Sequence, residues 1–367
     1  MKPYRLRLPG PTTVPERVRA AMACPVVSHR GPEFRAVLAR CEELLQPIAG
    51  TCNRILFFAS SGTGMMEAAL VNALGAGERV LIAGHGQFGE RFAAIARAMG
   101  IGVDLMEIPW GCAPDAADIA LRLASAEYRA VVVVHNESST GVVADLAAIG
   151  AVVRETPALL VVDSVSGLGG IEMRQDDWGI DVLVGASQKA LMCPPGVGIA
   201  SVSAKAWDVI NRADRLPRYY WDFRKAAASA EATETPFTTP VSLMFGLREA
   251  LQMIHEEGVA KVLVRHGRLS SELRAGCAAL GLHSFPQAPI LSNTVVCLAV
   301  PDGLDGGEIV RGMYQRHNTV IAGSRNKLKG RVIRIGTMGH FDQSDIRTDL
   351  EYLEDTLGSL KEDAHAW

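Results

Sequence analysis

Between Arg54 and Asp163 the chain repeats one pattern: a short run of Val, Ile, Leu and Ala, then a longer amphipathic stretch, then another apolar run. The runs at 55–59, 80–83, 102–108, 131–134 and 159–162 read as strands. Residues 65–74, 88–99, 115–124 and 145–155 between them read as helices. Such alternation means βαβ units, hence a largely parallel sheet with helices on both faces. The runs are continuously apolar rather than alternating, as strands covered on both faces require.

Two further apolar runs, 182–184 and 197–203, are too close together for a crossover helix between them, so the second is expected to pair antiparallel. Residues 1–13 read as an extended arm, because Pro9, Gly10 and Pro11 exclude a helix. Helical patterns follow at 14–22, with Pro15 in the first turn, and at 32–48. The segment 214–239 breaks this pattern: 218–223 is aromatic, and AAASAEATETPFTTP after it is small and polar and reads as a loop. Two helices at 240–257 and 259–280, punctuated by Gly258, lead to strands at 294–300, 320–322 and 332–335, a helix at 307–316 and a terminal helix from about Ser344. The expected organisation is an arm (1–13), a large α/β domain (14–257) and a smaller C-terminal α+β domain (258–367).

Composition narrows the task. A formal charge of −3 with scattered Lys and Arg argues against nucleic acid as the partner, which usually needs a basic face. No stretch is apolar for long enough to span a membrane, and the N-terminus lacks a signal-like apolar core. The seven cysteines form no CxxC and no zinc-like spacing, which points to a reducing cytoplasmic setting and no metal.

Three features carry chemistry. SSGTGMME (60–67) lies between a strand and a helix, where unpaired first-turn N–H groups and the helix dipole attract phosphate. It lacks the lysine of a P-loop, and a glycine turn with a serine cap is the plain alternative. Asp163 ends one buried strand; a structural role as a cap is the alternative there. Lys189, in SQKAL, follows another buried strand, and burial lowers a lysine's pKa, as an imine-forming amine requires. His135 also follows a buried strand, and a hydrogen-bonded structural histidine is the simpler reading. Together, a phosphate cradle, an acid for a protonated ring nitrogen and a sheltered lysine are what pyridoxal phosphate chemistry needs.

Around these residues stand further motifs in fixed order: HNESSTG (135–141), VDSVS (162–166), WGIDV (178–182), GASQKAL (185–191), PPGVG (194–198), GLREAL (246–251) and RVIRIG (331–336). In that order they resemble the class V aminotransferases, above all the alanine–glyoxylate and serine–glyoxylate (serine–pyruvate) branch, over nearly the whole chain. The resemblance implies fold type I, with a mostly parallel seven-stranded sheet in the large domain. It implies Lys189 as the imine-forming lysine and Asp163 as partner of the pyridine nitrogen. Ser61, Gly62 and Thr63 stand where relatives hold the phosphate, with Gln188 beside them; Thr63 replaces a histidine of some members. Phe88 falls where an aromatic ring stacks on the cofactor, Val165 on its other face, and Ser138 near its ring oxygen. Arg334 would grip the substrate carboxylate, a task suited to a two-pronged guanidinium. Thr238 would reach the phosphate of a neighbouring subunit, which implies a homodimer with shared active sites. The aromatic residue that many relatives place three before that threonine is Thr235 here, so Phe237 is a candidate to replace it.

The expected reaction is transamination between alanine or serine and glyoxylate or pyruvate. A ureidoglycine–glyoxylate or 2-aminoethylphosphonate-type transaminase is the alternative, with His29 and Arg30 as candidate donor contacts. A desulfurase reading lacks its thiol, since 318–331 contains no cysteine. A non-catalytic partner subunit is opposed by the intact Lys189, Asp163 and Arg334.

Overall fold

The computed structural model describes residues 4–212, 216–287 and 291–365. Its centre is a seven-stranded sheet of β1 (Ile55–Ser60), β2 (Arg79–Gly84), β3 (Gly102–Glu107), β4 (Ala130–Val134), β5 (Leu159–Asp163), β6 (Val182–Ala186) and β7 (Gly196–Val202). In space they run β1-β7-β6-β5-β4-β2-β3. Neighbours from β6 to β3 are parallel, while β7 is antiparallel to both β6 and β1, as the short 182–203 spacing required. Because β7 alone is reversed, the other six strands all point their carboxyl ends to one edge.

The period of two in a strand sorts the apolar runs into two cores. Phe57, Leu81, Val131, Val133, Leu160 and Val162 face one side, against the helices Pro32–Ala49, Leu146–Arg154 and Val241–Glu257. Leu56, Val80, Ile82, Val132, Leu159 and Val161 face the other, against Gly62–Ala73, Gln87–Ala98 and Ala204–Ile210. Every residue of β4, β5 and β6 is buried. Helices on both faces explain why these runs contain no polar alternation.

The C-terminal part has its own core around Leu269, Leu298, Ile309, Ile335 and Leu353. Its antiparallel sheet comprises β8 (Val295–Ala299), β9 (Ala322–Gly323) and β10 (Val332–Gly336). The expected strand at 320–322 is split. Thr319–Val320 instead pairs in parallel with Arg5–Leu6 of the N-terminal arm. That arm is thus stitched to the C-terminal part, where the buried Arg7 and Asp349 form an ion pair at 2.5 Å and Gly336 donates its N–H to the Arg7 carbonyl.

A second expectation fails. The stretch AAASAEATETPFTTP is not all loop: its first residues belong to the helix Phe223–Ala230, capped by an Asp222 carboxylate that accepts from the Arg224 N–H at 3.0 Å. Its alanines favour helix, and Phe223 is fully buried against Phe58. Among the described residues no helix is long and apolar enough to cross a membrane.

Candidate active site

Ligands of open α/β sheets sit beyond the carboxyl ends of the strands, where the strand order reverses. Here β3 lies on one side of β2 and β4 on the other, and the segments leaving β1, β2, β4, β5 and β6 line a cavity of about 220 Å³. Ser61, Gly62 and Thr63 line it from β1, and Phe88 and Arg91 from the helix after β2. Asn136 and Ser138 come from β4, Asp163 and Val165 from β5, and Gln188 and Lys189 from β6. Ten of the eleven site residues named from the sequence reach this cavity or its wall; Thr238 does not.

Asp163 is held by its neighbours in register, Val134 on β4 and Val184 on β6. Its Oδ1 accepts from the Val165 N–H at 2.8 Å, an arrangement that fixes the carboxyl and turns the chain. Burial nevertheless dominates and pushes the Asp163 carboxyl up to about 6, with the Glu137 carboxylate adding to the rise. Lys189 is the converse. Burial, helped by the Arg334 cation, brings its amine down to about 8, against the opposing pull of Asp163. Its Nζ donates to the Pro9 carbonyl at 2.5 Å, so the N-terminal arm closes one wall of the cavity. Thr12 secures that wall through its Oγ1, which donates to the Lys189 carbonyl at 2.9 Å.

Ser61 caps the helix Gly62–Ala73, its Oγ accepting from the Gly64 N–H at 3.4 Å. The first turn of that helix opens on the cavity. A side chain at Gly62 would bring Cβ within 2.9 Å of a Val165 methyl, so glycine here lets the turn and Val165 approach each other. Thr63 Oγ1 accepts from Arg91 Nη1 at 2.9 Å, and the Arg91 guanidinium lies 4.6 Å over the Phe88 ring centroid. Phe88 is itself placed by the buried Glu137 carboxylate, which accepts from the Phe88 N–H at 2.9 Å and from the Ser139 N–H and hydroxyl. Gln188 Oε1 and Asn136 Oδ1 are buried acceptors with no hydrogen-bond partner among the described residues, and both residues line the cavity.

Arg334 stands in the wall on β10 rather than in the lining. Nη1 donates to the Ser138 carbonyl at 3.0 Å and Nη2 to the Gly323 carbonyl at 2.9 Å, while Nε is buried with no partner among the described residues. Thr238 is exposed, beside the stack of Phe237 on Tyr220 (centroids 5.0 Å apart, planes at 10°). Thr235 is turned inward, donating to the Phe237 carbonyl at 2.9 Å. Arg30, together with Arg35, pairs with Glu234 at 2.5 Å on the surface. His135 is buried outside the cavity, bonded to Ser164 Oγ at 2.9 Å, and burial lowers its imidazole to about 4. Four cysteines are buried, and Cys193, Cys277 and Cys297 are pushed up to about 12 by burial.

Arg91, Asn136 and Ser166 are the polar lining residues that sequence reasoning missed, along with the apolar Met66 and Val134. Asn136 sat in plain view in HNESSTG. Arg91 gave no local signal, since Thr63, its partner, lies on another helix.

Comparison with known proteins identifies the family. The family model described as Aminotransferase class-V matches residues 16–345. The chain is 37% identical to the soluble hydrogenase small subunit of Synechococcus sp., over 97% of this chain and 93% of that one. It is also 37% identical to the serine–glyoxylate aminotransferase of Hyphomicrobium methylovorum, over 92% and 85% of the two chains. The crystal structure of alanine–glyoxylate aminotransferase from Nostoc sp. superimposes with a TM-score of 0.93 at 30% identity, covering 97% of this chain and 96% of the other. This chain belongs to the class V aminotransferases, pyridoxal-phosphate-dependent enzymes of fold type I.

Proposed function

We propose that this enzyme transfers an amino group from a small amino acid, alanine or serine, to glyoxylate or pyruvate, and that its cofactor is held in the cavity between Asp163 and Lys189. The observation that carries this reading is the delivery of a carboxyl and a depressed amine into one cavity by β5 and β6, beside the open first turn of Gly62–Ala73.

The residues present fit pyridoxal phosphate. The helix N-terminus with Ser61, Gly62 and Thr63 suits its phosphate, and Gln188, whose amide oxygen has no hydrogen-bond partner among the described residues, can turn its amide N–H donors toward it. Phe88 and Val165 suit the two faces of its ring, and Ser138 its ring oxygen. Bound there, the cofactor supplies an aldehyde that condenses with amines and a ring that accepts electron density. Asp163 would hold the ring nitrogen and favour its protonated form, a positive partner that would oppose the burial raising this carboxyl. Lys189, with an amine near 8, can give up its proton close to neutral pH and move a proton to and from the substrate carbon. Arg334 offers the unpartnered Nε–H to a substrate carboxylate, held in place by its bonds to Ser138 and Gly323.

The named aminotransferase relatives both act with glyoxylate, which supports that acceptor. The hydrogenase-named relative is matched by a chain whose lysine, acid and arginine are all in place, which favours catalysis over a purely structural subunit. The exposed Thr238 beside Phe237 and Tyr220 supports a homodimer in which this rim faces the neighbouring cavity. The test is a panel of amino donors against 2-oxo-acid acceptors with purified protein, read by the cofactor's spectrum in each half-reaction. Loss of the lysine-bound absorbance with L-alanine or L-serine, restored by glyoxylate or pyruvate, is expected. A response confined to ureidoglycine, 2-aminoethylphosphonate or a dicarboxylic donor would replace the substrate assignment.

A further inference from the structure

Arg91 is a cation in the wall of the cavity, yet among the described residues no carboxylate pairs with it. Its neighbour on the helix, Glu90, is taken by Lys327 at 2.7 Å. Glu137, the nearby buried acid, is committed to the N–H groups of Phe88, Gly89 and Ser139. The Arg91 charge is felt at both Asp163 and Lys189. An arginine kept from every internal acid, facing a cavity, is poised for an external anion.

We propose that Arg91 is the missing cation of the phosphate cradle, acting as a positioning residue through Thr63. The Gly62–Ala73 helix has no basic residue in the turn that opens on the cavity, so the helix N-terminus alone would face a dianion. Arg91 supplies the charge from the next helix. Its Nη1–H donates to Thr63 Oγ1. A hydroxyl has one proton, and with its oxygen already accepting, that proton is left to donate to a phosphate oxygen. The Phe88 ring beneath the guanidinium, three residues earlier on the same helix, holds the arginine in place by cation–π contact. Thr63 and Arg91 together therefore do what one basic side chain does in other glycine-rich phosphate turns.

This inference rests on the cofactor reading above, and the experiment separates the two. Cofactor-free protein is titrated with pyridoxal phosphate, with pyridoxal, and with inorganic phosphate as competitor, for wild type, Arg91→Met, Arg91→Lys, Thr63→Val and the Arg91→Met/Thr63→Val double variant. Arg91→Met is expected to weaken pyridoxal phosphate and inorganic phosphate at least 10-fold while changing pyridoxal affinity less than 2-fold. Thr63→Val should cost several-fold in wild type and almost nothing in the Arg91→Met background. If Arg91→Met does not fold, Arg91→Lys, which keeps the charge but not the directed N–H, is expected to show a smaller loss of the same selectivity. Equal losses for pyridoxal and its phosphate, or additive effects in the double variant, would overturn the inference. Wild type that binds the cofactor alongside an unaffected Arg91→Met sinks only the role of Arg91; wild type that binds none sinks the cofactor reading as well.

Discussion

The Nζ of Lys189 donates to the carbonyl oxygen of Pro9 at 2.5 Å, so this amine is held by a segment 180 residues earlier in the chain. The same arm pairs with Thr319–Val320 and bonds through Arg7 to Gly336, two residues beyond Arg334. One short strap thus touches the Lys189 amine and the strand that carries Arg334.

Gly10 is where this contact is most easily disturbed. Its φ is +112, and a Cβ there would fall 2.5 Å from Lys189 Nζ. Gly10→Ala is expected to slow the donor half-reaction on the order of 100-fold, the scale of a misplacement of about 1 Å. Stopped-flow absorbance checks it, with thermal melting as a folding control. A folded variant reacting at the wild-type rate would mean that the arm does not position the lysine.

Asp163 and Lys189 set opposite pH slopes in the cofactor-free protein. The Asp163 carboxyl is raised to about 6, so the fold is favoured while it is protonated, and stability falls as pH rises from about 4 through 6. Asp163→Asn is therefore expected to stabilise cofactor-free protein at pH 7, by about 3 kcal/mol at most, with the gap closing near pH 4. It should also weaken cofactor binding. The Lys189 amine is lowered to about 8, so its charged form is penalised below 8 and the penalty disappears as pH rises towards the unfolded value of 10.5. Lys189→Met should accordingly stabilise at pH 7 and lose that advantage above about pH 10. Urea melts across pH measure both slopes; reversed signs would contradict the burial assigned to these groups.

Gly62→Ala pushes a methyl against the Val165 methyls at 2.9–3.0 Å. Overpacking of this kind costs about 1–3 kcal/mol, and it moves two walls of the cofactor cavity together. Cofactor affinity is expected to fall about 10-fold, the equivalent of about 1.4 kcal/mol, in equilibrium titration. Unchanged affinity would place the phosphate elsewhere.

Arg334→Lys keeps the charge but cannot serve Ser138, Gly323 and a carboxylate together. Donor KM is expected to rise at least about 10-fold with cofactor affinity unchanged, because a charged hydrogen bond of this kind contributes about 1.5–3 kcal/mol. A cofactor-affinity loss without a KM effect would reassign the residue.

The sheet was legible because its apolar runs are pure: AVVVV in β4 can be little else than a strand buried on both faces. The reversal of β7 was legible from spacing alone. Phe223–Ala230 was not, because its helix depends on Phe223 meeting Phe58 as much as on alanine content. Pro9 and Arg91 were invisible for one reason. Each acts through a partner, Lys189 or Thr63, that only the tertiary fold brings near, and local pattern carries no trace of such a pair.

The identity of the imine-forming lysine is the centre of the account, and borohydride reduction tests it directly. Protein loaded with pyridoxal phosphate is reduced, digested and mapped by mass spectrometry. The expected result is a single pyridoxyl phosphate adduct on the peptide containing Lys189, absent after prior treatment with L-serine or L-alanine and absent in Lys189→Ala. An adduct on another lysine, or none in wild type, would contradict it.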